Sequence, residues 1–280
     1  MALSIHTNYS ALVTQTNLNK TNGQLSTNQQ RLGTGLRINS AADDAAGLQI
    51  ATRLNAQSRG MDVATRNTGD AISMLQTAEG AFSEVTDILQ RMKDLATQSA
   101  NDTNATADRT AIKSEWDELG KELGNIMTNT SYAGAKLFGA GNKFAAAVSF
   151  QIGSTAAETL SLDVSTAMGN LVTELGTTVP GLALATAANG QAAITAVNTA
   201  LDNVGAVRAT FGANINRLNH TANNLANMKD NTDMAKGRIM DADFAKESAS
   251  MSKNSMLMQS GISMLKQAGQ MPGMVMSLLG

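Results

Sequence analysis

Within GLRINSAADDAAGLQIATRL, residues 35–54, two adjacent carboxylates, Asp43 and Asp44, sit between Arg37 and Arg53. A carboxylate pair flanked by guanidinium groups is raw material for acid–base chemistry, provided both acids converge on one substrate. Neighbours on a helix point about 100° apart, so these two do not converge, and no base or metal-binding set accompanies them. Another role fits the spacing. Ser40 reads as the N-cap of a helix with Asp43 at its third position, where acids suit the helix dipole. Gly33 and Gly35 read as the end of the preceding helix. Ala41, Ala42, Ala45, Ala46 and Gly47 leave room for a neighbouring chain. Arg37, Asp43, Asp44 and Arg53 are therefore not read as a catalytic set.

Other chemistry finds no better foothold. The two histidines, His6 and His220, are far apart in sequence and form no HExxH pair, so no zinc site is expected. No dinucleotide fingerprint, phosphate loop or GxSxG elbow occurs, and cysteine is absent, which excludes disulfides and thiolate chemistry. The expectation is a protein that is not an enzyme and holds no cofactor. A net charge of −2 and a pI near 5.7 give no basic face for nucleic acid. No run of about 18 apolar residues suggests a membrane span. The N-terminus lacks the basic and apolar regions of a cleaved signal.

The elements that would position these residues are helical. Aromatics are only 3% of the chain and hydrophobics 42%, so aliphatic residues and Met must fill the core, which suits long packed helices. Leu75, Ala78, Phe82, Val85, Leu89, Met92 and Ala96 recur at steps of three and four. Leu201, Val204, Phe211, Ile215, Leu218, Ala222 and Leu225 repeat the pattern, broken at Arg208. Such seams are those of coiled coils, and two of similar length predict that N- and C-terminal helices pack together. Weaker heptads follow farther out, at Leu18, Leu25 and Leu32 and at Phe244, Met251, Met258 and Leu265. Ten of the 16 Met residues lie at or after Met228, where their flexibility suits irregular contacts. Helices with such thin seams are marginal alone, so both ends are expected to order against partners.

The middle of the chain differs. Ala107 to Ile126 reads as a helix with Ile112, Trp116, Leu119 and Leu123 on one face, followed by a turn at NTSYAG. Phe144, Ala146, Val148 and Phe150, and then Leu160, Leu162 and Val164, alternate with polar residues and predict strands. Residues 168–190 show no regular pattern. The fold expected is mainly α, with long N- and C-terminal helices in a coiled-coil-like bundle and a small β-hairpin region in the middle.

The stretch SALVTQTNLNKTNGQLSTNQQRLGTGLRINSAADDAAGLQIATRLNAQSRGMDVATRNTGDAISMLQTAEGAFSEVTDILQRMKDLATQSAN resembles bacterial flagellin closely. So do VRATFGANINRLNHTANNL and the Met- and Gln-rich tail, and the likeness spans about residues 1–140 and 190–280. It implies a structural subunit that polymerises into the extracellular helical filament used as a propeller for motility. Residues 1–40 and 236–280 would form the inner tube domain, D0. Residues 41–235 would form D1, with helices about 41–99, 107–128 and 190–235 and hairpins about 140–168. The centre is too short for outer domains, and the resemblance makes Arg37, Asp43, Asp44 and Arg53 a joint and an inter-subunit contact. The resemblance further implies type III export without a cleaved signal. Implied partners are other copies of the chain, an export chaperone, the export apparatus, and the filament cap and hook–filament junction proteins.

Gln90, Arg91, Leu95 and Gln98 resemble the flagellin patch read by a host toll-like receptor, and Glu115 matches an acid on the adjoining helix. Arg91, Leu95 and Gln98, at i, i+4 and i+7, would form one stripe beside the core seam. The family's chaperone binds the tail, about 241–280, whose positions Phe244, Met251, Met258 and Leu265 also form the D0 seam. Two other readings share the helical ends: a hook–filament junction protein, and a secreted coiled-coil adhesin or effector. The long intact 40–57 and 69–81 motifs favour flagellin over the first, and the centre shows no binding module for the second.

Overall fold

A computed structural model describes residues 8–279, and their side chains except those of 271–272 and 274–279; His6 lies outside the described residues. Six α-helices dominate: α1 (Tyr9–Thr34), α2 (Ala45–Ser99), α3 (Thr106–Asn129), α4 (Ser165–Thr173), α5 (Ala187–Met240) and α6 (Phe244–Leu279). Two antiparallel hairpins lie between α3 and α4, β1 (Ser131–Tyr132) with β2 (Ala135–Lys136) and β3 (Val148–Gln151) with β4 (Thr159–Leu162). The chain divides into two compact units, one of residues 1–56 and 231–280 and the other of residues 57–230.

Within the 57–230 unit, α2 and α5 run antiparallel. Lys229 Nζ reaches Asp62 at 3.0 Å and Arg208 Nη2 reaches Glu79 at 2.8 Å, so position rises along one helix as it falls along the other. Every member of the α2 seam from Leu75 to Ala96 is buried. On α5 the buried line is Ala193, Val197, Ala200, Val204, Val207, Phe211, Leu218 and Leu225. The seam therefore passes through Val207, and Arg208 flanks it rather than breaking it. Its Nε donates to Glu79 at 2.9 Å and its Nη1 to the Thr86 hydroxyl at 3.2 Å. Leu201 and Ile215, expected on the seam, are half-buried beside it.

α3 completes the bundle with Ile112, Trp116, Leu123 and Met127 buried. Gly120 in its middle lies so close to Pro180 that a Cβ there would sit 2.8 Å from the proline ring. Few aromatics are available, and they concentrate at one place. The rings of Phe82, Phe138, Phe144 and Phe211 form a chain with centroids 4.9–6.3 Å apart, the range in which tilted pairs attract.

The middle departs from the expected pattern in three places. Phe144 sits in a 3₁₀ turn (Lys143–Ala145), and Ala146 is exposed, so the strand starts only at Val148. NTSYAG is the tip of the β1–β2 hairpin, with Ala133 and Gly134 both at positive φ. Residues 168–190 hold most of α4 and a π-helical turn (Glu174–Thr178) capped by Val179, and Met168, Leu171, Leu175 and Val179 are buried there.

Candidate functional site

In the unit of residues 1–56 and 231–280, α1 and α6 pack antiparallel along their length. The Asn8 Nδ2 donates to the Ala268 carbonyl at 2.6 Å. Leu18 approaches Gly261 so closely that a Cβ there would lie 2.7 Å from Leu18 Cδ1. Near the other end Arg31 Nη1 meets Glu247 Oε1 at 3.2 Å. Leu18, Leu25 and Leu32 are half-buried on α1, as are Met251, Met258 and Leu265 on α6. Phe244, the expected first member of that α6 line, lies in its first turn and is exposed. A polar layer interrupts the seam. Asn28 and Asn254 are buried. Oriented to satisfy its neighbours, the Asn28 amide nitrogen donates to the Gln24 carbonyl and to Glu247 Oε2, each at 3.2 Å. Its oxygen accepts from Asn254 Nδ2, also at 3.2 Å.

The joint follows at once. α1 ends on Gly35, which adopts the left-handed conformation (φ 72°) and returns its N–H to the Arg31 carbonyl at 2.9 Å. The chain then passes the linker between α5 and α6 as an antiparallel bridge between Leu36 and Asp241. The Arg37 N–H donates to the Met240 carbonyl at 2.6 Å, and the Ala242 N–H donates to the Gly35 carbonyl at 2.9 Å. The Arg37 guanidinium adds Nη2 to the Ile239 carbonyl at 2.8 Å. The guanidinium thus binds a carbonyl in the last turn of α5, where the helix dipole favours a cation. Ile38 is buried beside these contacts.

The two acids divide the next step. Asp43 Oδ2 accepts the Asn39 N–H at 3.0 Å, the Ser40 N–H at 2.9 Å and the Ser40 hydroxyl at 3.2 Å. These bonds, the Ser40 backbone bond first, hold the Asp43 carboxyl below its ordinary value. Asp44 Oδ1 accepts the Gly47 N–H at 2.8 Å and its carbonyl accepts the Leu48 N–H at 3.0 Å, which makes Asp44 the N-cap. The expectation that Ser40 caps this helix is corrected accordingly. The Ser40 hydroxyl faces Asp43, a separate turn forms over residues 40–43, and α2 starts at Ala45. Neither acid pairs with Arg37 or Arg53. Arg53 is exposed and makes no ion pair among the described residues.

α6 is capped in the same way. Asp243 Oδ1 accepts the Ala245 and Lys246 N–H groups at 2.9 and 3.1 Å. Sequence reasoning missed this cap, although an Asp directly before the apolar Phe244 signals it. It also missed the Arg31–Glu247 and Arg208–Glu79 pairs, whose members lie more than a hundred residues apart.

Of the residues expected to form an exposed patch, Arg91 and Glu115 meet, Arg91 Nε donating to Oε1 at 2.7 Å. Gln90 and Gln98 are exposed near them in sequence, but Leu95 is 3% exposed. It belongs to the buried core with Met92 and Ala96 rather than lying beside the seam. No group of three or more metal-ligating side chains occurs among the described residues, and no described helix is long and apolar enough to cross a membrane.

Residues 5–143 match the family model described as the bacterial flagellin N-terminal helical region, and residues 194–279 match that of the bacterial flagellin C-terminal helical region. The chain is 36% identical to flagellin A of Vibrio anguillarum over 381 aligned positions that cover all of both chains. It is 36% identical to polar flagellin C of Vibrio parahaemolyticus over 386 positions, again covering both completely. Both alignments exceed the 280 residues of this chain, so each relative carries segments that it lacks. Among solved structures, a flagellar hook-associated protein from Vibrio parahaemolyticus covers 71% of this chain and 100% of its own. Its TM-score is 0.56 at 17% identity, a likeness of fold alone.

Proposed function

This chain belongs to the bacterial flagellin family and is a structural subunit of the flagellar filament, of the kind without outer domains, and we propose how its helices build that filament. The observation that carries the proposal is the poor burial of the α1–α6 pair. Among the described side chains of these two helices only Asn28, Asn254 and Ala268 are buried, while Tyr9, Leu12, Val13, Phe244, Met256, Leu257, Ile262 and Met264 are exposed. An apolar surface of this extent on a helix pair calls for further partners. Here those partners are other copies of the chain. Residues 1–40 and 236–280 form the inner tube, D0, and residues 41–235 form D1. Head-to-tail contacts that do not close on themselves extend into an open helical polymer. Burial of the exposed faces between copies drives growth.

The joint serves this assembly as an ordered corner. Arg37, Asp43 and Asp44 set its geometry within the chain, and the unpaired Arg53 is offered to a neighbouring copy. The product is exported through the flagellar type III apparatus and works outside the cell in the filament, between the cap and the hook–filament junction proteins. Before export, the apolar positions around Phe244, Met251, Met258 and Leu265 dock on a chaperone as a helix in a groove. A host toll-like receptor would read the exposed Arg91–Glu115 pair with Gln90 and Gln98, Leu95 supporting them from the core. Such a protein shapes and transmits force and has no reaction to catalyse.

Electron microscopy of purified monomer given filament seeds or precipitating salt tests the reading. Long helical filaments are expected, and their absence in both conditions would overturn it.

A further inference from the structure

The described methionines differ widely in exposure, Met228 and Met234 on α5 being 38% and 55% exposed and the extremes lying elsewhere. Met61, Met74, Met92, Met127 and Met168 are each at most 6% exposed, in the unit of residues 57–230. On α6, Met256 is 68% and Met264 61% exposed. Thioether oxidation follows exposure. An oxidant at low dose therefore reaches the α6 pair, together with Met234 and Met228, while sparing the methionines that hold the core. From these exposures we propose that Met256 and Met264 form an oxidation-sensitive modification site, through which a peroxide blocks incorporation of the monomer into filaments. The consequence for assembly rests on the reading that the exposed α6 face becomes buried between copies.

The chemistry is a two-electron oxygen transfer. A lone pair of the thioether sulfur attacks one oxygen of hydrogen peroxide. The S–O bond forms as the O–O bond breaks, and the departing hydroxide takes the remaining proton and leaves as water. Sulfur is oxidised to the sulfoxide and the peroxide is reduced. The product replaces a soft apolar group with a strong hydrogen-bond acceptor. In an apolar contact that acceptor loses its water without gaining a donor, which opposes burial. The chain itself stays folded, because α6 carries none of the core cluster. Filament already assembled covers these sulfur atoms, so the same dose has less effect after growth than before it.

The test uses full-length monomer treated with dilute hydrogen peroxide, with peptide mass spectrometry to locate added oxygen and seeded growth to read assembly. Sulfoxide is expected at Met256 and Met264 before Met61, Met74, Met92, Met127 or Met168. The monomer concentration needed for growth should rise about tenfold or more, with unchanged helical circular dichroism. Methionine sulfoxide reductase should restore growth, and the M256L/M264L variant should keep growing after the same dose. Full sulfoxide formation at both positions without loss of growth overturns the proposal, as does equal loss in the leucine variant. If that variant grows poorly untreated, reductase rescue of the parent chain decides instead. Failure of the untreated parent to grow would count against the filament reading, whereas growth before oxidation and not after it isolates the oxidation site.

Discussion

Asp43 and Asp44 are neighbours in sequence and do separate work. Asp44 satisfies the Gly47 amide at the open end of α2. Replacing it by Ala should cost about 1 kcal/mol of local stability and speed hydrogen exchange of the Gly47 and Leu48 amides several-fold; unchanged exchange would remove Asp44 from the cap. Asp43 closes the turn before it and has the lowered carboxyl. For a carboxylate whose folded value lies below its unfolded one, the stabilisation is complete above the unfolded value and is lost as pH falls through the folded value. An NMR titration should therefore place the Asp43 midpoint below the ordinary 3.8, and the turn should keep its geometry down to that midpoint. A midpoint at or above 3.8 would mean that the Asn39 and Ser40 amides do not hold the carboxylate. The residue types at this site were legible in the sequence. Their division of labour was not, because Ser40 and Asp44 are both good caps and only the direction of the Ser40 hydroxyl separates them.

At the scale of elements, the long helices were legible because their apolar spacing persists over many turns, and the α3 face was legible for the same reason. The phase of the α5 seam was not. Ala200 and Val207 on one line compete with Leu201 and Ile215 on the other, and the second line would place Arg208 in the seam, whereas it pairs with Glu79 at the seam's edge. α4 escaped notice because Gly and Thr obscure it, although Met168, Leu171, Leu175 and Val179 keep a helical spacing. The many threonines in helices are also compatible with that state, since hydroxyls such as those of Thr14, Thr65 and Thr86 bond to the carbonyl four residues back. Close approach between elements leaves a different mark. A Cβ at Gly190, in the first turn of α5, would lie 2.6 Å from the Ala100 nitrogen at the end of α2. The contact is with backbone and cannot move aside cheaply. Gly190→Ala should destabilise the 57–230 unit by about 1–3 kcal/mol, read as a lower denaturation midpoint by circular dichroism with an unchanged slope. An unchanged midpoint would show that the two helix ends can separate freely.

At the scale of the whole molecule, the two units differ in how they are held. The 57–230 unit closes over four phenylalanine rings and a continuous apolar cluster. The α1–α6 pair relies on half-buried Leu and Met, one polar layer and the bridge at Leu36 and Asp241, with large apolar side chains left in water. Local stability follows buried apolar contact, so opening should be easier in the pair than in the core. In the monomer, backbone amides of α1 and α6 are expected to exchange faster than those of α2 between residues 71 and 96. In filaments the same α1 and α6 amides should slow by about tenfold or more, because neighbouring copies then cover the exposed faces. Hydrogen-exchange mass spectrometry of both forms reads the difference directly. Equal protection of the pair in monomer and filament would show that α1 and α6 are stable without neighbours, and the assembly would then need another source of free energy than the burial of these faces.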